Sequence, residues 1–373
     1  MEEKRPPVSG IKSQNRANIY QLLHRSGGLS RQDIGLALQL SRPTVHQNLT
    51  ELQEEGLIAP AGSIGNTGGR RASSFDIVPE ARTAIGLDIS RSRIRAVAVD
   101  LRGRVICRCR RQIPFARTEA YAQALGDVVS EVIRLGRLKQ ERILGVGIAV
   151  PGLITPEGDR VFYGETMNFT GAALEEFTRC MVFPGILIHD VAAACAAEVY
   201  SDPHIHNAFY LMVSDTIGGA VCVNGQSYAG DHARSGEIGH VTVVPGGRQC
   251  YCGKRGCLDA YCGTAVLSPE GDLQDFFLRL EAGEETARQD WETYTGHLAV
   301  AVNNLRMLFD CSVILGGYLG EQIGERIGDL RSRLAQMNPF EASGDYLQLC
   351  ACRDECIATG AALHFITEFL HTI

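Results

Sequence analysis

One stretch of this chain sets an imidazole and three thiols close together in sequence. His240 ends Ser235-Gly236-Glu237-Ile238-Gly239-His240, and Cys250, Cys252 and Cys257 follow in Cys250-Tyr251-Cys252-Gly253-Lys254-Arg255-Gly256-Cys257. Thiolate and imidazole are the ligands tetrahedral zinc prefers, and four of them leave no position for a reactive water. The chemistry expected of His240, Cys250, Cys252 and Cys257 is therefore structural Zn2+ binding. Gly246, Gly247, Gly253 and Gly256 argue for a loop, where thiols would have no apolar core to join. Cys350, Cys352 and Cys356 also have ligand-like spacing, but Leu347 to Cys352 reads as a buried strand, so these, like Cys107 and Cys109, are expected to be core thiols. His204 and His206 are expected in a surface loop.

A second set of candidate residues lies near the N-terminus. Arg42, Thr44 and Gln47 fall on the polar side of a segment whose apolar positions Val45, Leu49 and Leu52 recur at helical spacing. Arg70 and Arg71 tip the glycine-rich turn Gly65-Asn66-Thr67-Gly68-Gly69. Guanidinium groups on such a turn can clamp phosphates or enter a narrow minor groove, while Thr44 and Gln47 can reach base edges in the major groove.

The elements that must position these side chains are legible. A helix is expected from Ser13 to Leu23, stopped by Gly27-Gly28. A second opens at Ser30, an N-cap with Asp33 three residues on. A third opens at Ser41, with Pro43 at the start, where a missing N–H is harmless. Strands on either side of the Arg70-Arg71 turn complete a winged helix-turn-helix over residues 1–78. One such domain covers a single half-site, so a dimer on palindromic double-stranded DNA is expected.

Residues 1–78 sum to a charge of +2 and the remainder to −9, as expected if only the head meets nucleic acid. The chain has 373 residues and 45% hydrophobic content, enough for two or three domains with proper cores. No apolar run is long enough to span a bilayer, and Met1-Glu2-Glu3-Lys4-Arg5 does not open a signal peptide, so a soluble cytoplasmic protein without membrane contact is expected. The thirteen cysteines are an odd number scattered through Ala- and Val-rich segments, which suits reduced thiols plus a metal cluster.

Beyond residue 84 the pattern is α/β. Ala84–Ile89 and Ile94–Asp100 are β-rich runs, a third strand starts at Gly103-Arg104-Val105, a helix covers about 119–136, and 143–150 is a buried strand ending at Pro151-Gly152. Residues 209–223 and 313–317 repeat strand followed by glycine, and 345–373 closes with a strand and a helix.

The pair Gly236-Glu237-Ile238-Gly239-His240 and Cys250-x-Cys252-Gly253-x-x-Gly256-Cys257-Leu258 resembles the signature of the ROK family, which groups bacterial sugar kinases with sugar-responsive repressors. The resemblance runs from the winged head, as in the repressor branch, to Gly360-Ala361-Ala362-Leu363. It implies two actin- and hexokinase-like (ribonuclease H-like) lobes around a sugar cleft: a first lobe over 84–190 completed by 358–373, and a second over 191–357 carrying the zinc loop.

The resemblance further implies that Asp190, general base in the kinases, binds a sugar hydroxyl. Without a ligand, Asp190 reads as a helix N-cap. Glu237 resembles the glutamate that grips adjacent ring hydroxyls, His240 links metal to ligand, His189 stands for an asparagine, Asp259 for a glutamate, and Asn168 lines the cleft. The phosphate turns depart from the family pattern. Asp88-Ile89-Ser90-Arg91-Ser92 replaces Asp-x-Gly-Gly-Thr, Ser214-Asp215-Thr216-Ile217-Gly218-Gly219 replaces Gly-Thr-Gly-x-Gly-Gly, and Gly316-Gly317-Tyr318 lacks a third glycine. Backbone amides approach phosphate best where glycines leave them bare. The expectation is a DNA-binding repressor controlled by a sugar or sugar phosphate, dimeric or tetrameric, with kinase activity lost. The alternatives are an active sugar kinase with a regulatory head, and a regulator whose body docks a protein.

Overall fold

The computed structural model describes residues 8–64, 72–269, 273–352 and 355–373. The head opens with α1 (Val8–Ser26), which extends beyond both ends of the helix expected from Ser13 to Leu23. A two-residue strand β1 (Leu29–Ser30) leads into α2 (Arg31–Leu38), whose start is fixed by reciprocal hydrogen bonds between Ser30 and Asp33. Helix α3 (Arg42–Glu54) starts at Ser41, whose hydroxyl accepts the Thr44 amide. Ile19, Leu23, Ile34, Val45, Leu49 and Leu52 are all buried, so the three helices share one apolar center. Strands β2 (Ile58–Ile64) and β3 (Ala72–Ile77) pair antiparallel, with β1 on the other edge of β3. The turn carrying Arg70 and Arg71 lies outside the described residues.

The first lobe is a five-stranded sheet. Strands β4 (Thr83–Ile89), β5 (Ile94–Asp100) and β6 (Val105–Arg111) form an antiparallel meander, and helix α4 (Glu119–Gly136) returns the chain to β7 (Ile143–Val150), parallel to β4. A short hairpin, β8 (Leu153–Ile154) with β9 (Val161–Tyr163), and helix α5 (Leu174–Thr178) precede β10 (Gly185–His189), which pairs with β7 to give the order β10-β7-β4-β5-β6. Every residue of β4 is buried, as a strand covered on both faces requires.

Helix α6 (Asp190–Ser201) follows β10 without a linker. The second lobe repeats the plan. Strands β11 (Ala208–Val213), β12 (Ile217–Val223) and β13 (Gln226–Tyr228) form a meander. After the cysteine loop come α7 (Asp259–Cys262), α8 (Leu273–Glu281) and the long α9 (Glu285–Phe309). Strand β14 (Ser312–Gly316), helices α10 (Gly317–Gln322) and α11 (Ile327–Met337), and β15 (Leu347–Leu349) complete the order β13-β12-β11-β14-β15.

The closing helix α12 (Cys356–Thr372) packs on β4, β5 and β7 and against α6. Bare backbone makes this possible. A Cβ on Gly86 would sit 1.8 Å from the Ala358 carbonyl oxygen, one on Gly147 2.0 Å from that of Ala361, and one on Gly360 1.7 Å from that of Ala193. These glycines let α12 lie directly on the first sheet and directly against α6.

One sequence expectation is corrected here. The strand expected through Cys352 ends at Leu349, and Cys350 and Cys352 are half-buried beyond it instead of lying in the core. A short, largely apolar run suggests a buried strand but does not mark its last residue. Cys109 is buried and Cys107 half-buried, its thiol donating to the Val132 carbonyl at 3.3 Å; His204 and His206 are exposed.

Candidate functional site

His240 and the cysteine loop form a knuckle. A tight turn, Ile238–His240, presents the imidazole, and bridges between Thr242 and Cys257 and between Gln249 and Arg255 close the loop back on itself. Gly256 takes a φ of +86° with its α-carbon pressed toward the Val244 carbonyl, a place no side chain fits. The donor atoms of His240, Cys250, Cys252 and Cys257 all lie within 4.8 Å of one another.

The Cys252 and Cys257 sulfurs are 3.7 Å apart, and Cys250 Sγ is 3.8 Å from His240 Nδ1. A tetrahedron with 2.3 Å metal–sulfur bonds has edges of roughly 3.8 Å, so the spacing suits a metal at the center. Burial pushes the Cys257 thiol up to about 12, so a thiolate there requires a cation beside it. The donor set therefore fits a tetrahedral thiophilic ion. The other ring nitrogen, Nε2, faces away from the sulfurs and lies 3.4 Å from the Tyr251 hydroxyl. Tyr251 was not singled out from the sequence; an aromatic residue between two ligand cysteines was the available signal.

The cleft carboxylates converge from four parts of the chain. Asp190 stands at the junction of β10 and α6, where its Oδ1 accepts the Val191 amide at 2.8 Å, and His189 Nε2 lies 3.4 Å from the same oxygen. Burial pushes Asp190 up to about 7 and Asp88, at the end of β4, up to about 6. Glu237 is also raised by burial, with His189 and Asp190 within electrostatic reach. Asp259, at the start of α7, accepts the Ile217 amide through Oδ1 at 3.2 Å and is raised by burial. Its buried Oδ2 has no hydrogen-bond donor among the described residues. Burial lowers both His189 and His240, which favours neutral rings able to donate and accept at once.

Asp190, His189, Glu237, His240 and Asp259 are thus brought to one place. Asn168 stands apart: it is exposed, in a left-handed conformation with φ of 53°, and its side chain makes no hydrogen bond among the described residues. Asp88 joins the group as a buried carboxyl within electrostatic reach of Asp190, a neighbourhood that strand spacing alone could not reveal.

The phosphate-turn positions are self-satisfied. The Ser90 amide bonds the Arg93 carbonyl at 3.0 Å, and Arg91 reaches across to the Thr166 carbonyl at 2.6 Å. In the second turn the Ser214 amide bonds the Thr216 carbonyl at 3.1 Å, Ser214 Oγ accepts the Tyr318 amide at 3.1 Å, and Asp215 accepts the Thr264 hydroxyl at 3.2 Å.

In the head, Arg42, His46 and Gln47 are exposed along α3 while Thr44 is half-buried. Thr44 shares a 2.8 Å hydrogen bond with Ser41, and Gln47 donates to Glu51 at 3.2 Å. The head is also tied to the body. His24 Nε2–H donates to the Leu101 carbonyl at 2.7 Å, the Tyr200 hydroxyl donates to the same oxygen at 2.7 Å, and ring nitrogen and hydroxyl are 3.0 Å apart. Arg102 adds bonds to the His24 carbonyl at 3.2 Å and to Asp76 at 2.6 Å.

A winged helix-turn-helix followed by two lobes of the actin and hexokinase type, with a histidine–cysteine knuckle beside a group of buried carboxylates, defines the class. The chain belongs to the ROK family, whose pattern matches residues 84–364, and residues 13–59 match the winged helix-turn-helix DNA-binding family. It is 29% identical over 268 residues to the N-acetylglucosamine repressor of Escherichia coli O157:H7, a stretch that covers 70% of this chain and 65% of that protein. The crystal structure of a ROK family transcriptional regulator, a homolog of the E. coli MLC protein, superimposes with a TM-score of 0.75 at 19% identity, covering 97% of both chains. The ROK hexokinase of Thermus thermophilus superimposes with a TM-score of 0.62 at 25% identity over 77% of this chain and 99% of the enzyme. Among the described residues no helix is long and apolar enough to cross a membrane.

Proposed function

We propose that this chain is a cytoplasmic DNA-binding repressor whose body binds a sugar or sugar phosphate and passes that binding to the head. The observation that carries the reading is helix α6. It begins at Asp190 in the acidic cleft and ends at Ser201, one residue past Tyr200, which bonds the head contact at His24 and Leu101. Twelve residues of helix span about 18 Å, so one rigid element joins ligand cleft and head. A ligand shifts DNA binding only by its differential affinity for two head arrangements, and a helix touching both sites supplies the means. The named relative, an N-acetylglucosamine repressor, supports a sugar as effector class.

In this reading Asp190, Glu237 and Asp259 accept ring hydroxyls, and His189 and His240 donate or accept beside them. His240, Cys250, Cys252 and Cys257 hold a structural Zn2+, which fixes the imidazole so that Nε2 faces the cleft. Asn168 would contribute only if its loop turns inward on binding. Arg42 and the wing residues Arg70 and Arg71 contact phosphate or minor groove, and Thr44 and Gln47 meet base edges. Two heads in a homodimer or homotetramer would cover both halves of a palindromic operator.

Phosphoryl transfer is lost in this reading. The internal hydrogen bonds of the Ser90–Ser92 and Ser214–Thr216 turns occupy amides that a phosphate would need, and Arg91 fills space a glycine would leave open. Asp215 adds repulsion of about 4 kcal/mol against a phosphate charge at about 4 Å and an effective dielectric near 20. Incubating the pure protein with a panel of hexoses and ATP tests this directly: sustained ADP release would reinstate a kinase. The regulatory claim is tested by anisotropy on promoter DNA with the same panel, where one sugar is expected to weaken binding several-fold. If no sugar or sugar phosphate moves the midpoint, the effector reading fails.

A further inference from the structure

Two thiols and a buried carboxylate meet outside the histidine–cysteine knuckle, where the end of β15, the start of α12 and the last turns of α6 converge, with a third thiol, that of Cys352, beside them. The donor atoms of Glu198, Cys350 and Cys356 lie within 4.8 Å of one another. The Cys356 thiol interacts with those of both Cys350 and Cys352. Cys350, Cys352 and Cys356 also line a cavity of about 50 Å³, together with Arg95, Tyr210 and Gly316. That volume admits a metal ion and a water or two, and falls far short of the several hundred Å³ of a nucleotide-sized pocket.

Glu198 is 2% exposed, and among the described residues no basic side chain forms an ion pair with it. Its Oε1 accepts the Cys352 amide at 2.8 Å, which orients the carboxylate toward the thiols. A carboxylate taken out of water without a positive partner is costly. The Tyr210 hydroxyl donates to Cys350 Sγ at 3.4 Å, while the Cys350 and Cys356 thiols donate to the Cys352 and Ala194 carbonyls at 3.0 and 3.4 Å, protons that a bound metal would displace. Soft sulfur ligands with one carboxylate select a thiophilic ion over magnesium or calcium.

We propose that Glu198, Cys350 and Cys356 form a second metal site for a thiophilic divalent cation such as Zn2+. Cys352 or a cavity water takes the fourth position. The three ligand atoms need to close by about 1 Å to reach tetrahedral edges, a movement within the reach of side-chain rotation. Binding releases the thiol protons to solvent. The ion would tie α6, α12 and the end of β15 together, at the opposite end of α6 from Asp190. This proposal does not depend on the sugar reading.

The test uses the full chain, reduced, stripped with a chelator and titrated with Zn2+, with bound metal counted by mass spectrometry after gel filtration. Two equivalents per chain are expected. Cys350→Ser/Cys356→Ser should retain one, Cys250→Ser/Cys252→Ser should retain the other, and Glu198→Gln, which keeps the side-chain volume, should weaken the second equivalent at least tenfold while leaving the first unchanged. Alkylation of Cys350 and Cys352 in the unaltered chain gives a readout that needs no variant: Zn2+ beyond one equivalent should slow it at least tenfold. A single equivalent that vanishes with Cys250→Ser/Cys252→Ser, or alkylation indifferent to the second equivalent, overturns the proposal.

Discussion

In the proposed reading, Asp190 is the residue through which ligand and solvent conditions meet. Burial raises it to about 7 and its neighbour Asp88 to about 6, so both carboxyls take up protons when the chain folds. Their contribution to stability is therefore greatest below the ordinary aspartate range near pH 4 and is lost as pH rises toward 7. A sugar hydroxyl donating to Asp190 favours its charged form and reverses that loss. The expected consequence is that sugar affinity falls as pH drops below about 7, with close to one proton released per sugar bound at pH 6. Calorimetry in buffers of different ionisation enthalpy measures this directly. Asp190→Asn should flatten the pH dependence and cost at least tenfold in affinity. Release of no proton would show that Asp190 does not face the ligand.

The knuckle makes a second residue-scale case. His240 has one nitrogen toward the sulfurs and the other toward Tyr251, so its ring orientation depends on whatever binds among the thiols. If the proposed zinc is bound, removing it with a chelator, or replacing Cys252 with Ser, is expected to weaken the proposed sugar binding about 10- to 100-fold, the usual effect of loosening a ligand's support. Operator affinity in the absence of sugar should change far less, because the head shares its apolar cluster with α6 and α12, and the residues beneath the knuckle belong to a separate one. Parallel sugar titration and operator binding on one sample separates the two.

At the scale of elements, what the sequence disclosed depended on how local each signal was. Ser30 with Asp33, Pro43 after Ser41 and the Val45, Leu49, Leu52 spacing are contained within a few residues, and the head helices follow from them. The four knuckle side chains lie within 18 residues, and their gathering is equally legible in the sequence. The contact of His24 with Tyr200 joins residues 176 apart and leaves no periodic trace. Gly86, Gly147 and Gly360 read as ordinary small residues until α12 is seen lying on them. Cys350 and Cys352 were misread for the same reason, because the end of a strand is decided by what the next element packs against.

Helix α6, in its proposed coupling role, yields its own expectation. Tyr200→Phe keeps the ring but removes the hydroxyl that bonds Leu101 and approaches His24. The stability loss should be modest, roughly 0.5–1.5 kcal/mol for a neutral hydrogen bond. Sugar affinity and DNA affinity, each measured alone, should stay within about threefold, while the sugar's effect on DNA binding should shrink toward unity. Burial also lowers His24, so the contact favours a neutral ring. It is strongest above the ordinary histidine range and weakens as pH falls through it. An unchanged sugar effect in Tyr200→Phe would mean that the head is moved by some other route.

At the scale of the whole molecule, the acidic body and mildly basic head set how the protein would approach DNA in the proposed reading. The −9 carried by residues 79–373 repels the duplex, so attachment rests on the few cations at the head surface. Each phosphate neutralised contributes a slope of about −0.9 to the logarithmic dependence of affinity on salt. Arg42, exposed at the start of α3, is expected to be one of them. Arg42→Ala should weaken all sequences nearly equally and make that slope shallower by about 1. Gln47→Ala, one helical turn further on, should leave the slope intact. It should instead relax discrimination at one base pair in each half-site, by about 1–3 kcal/mol. Measuring both variants on operator and scrambled DNA over a range of salt distinguishes positioning from readout. If Gln47→Ala changes the slope and leaves selectivity unaltered, α3 does not lie in the major groove with its first two turns facing the bases.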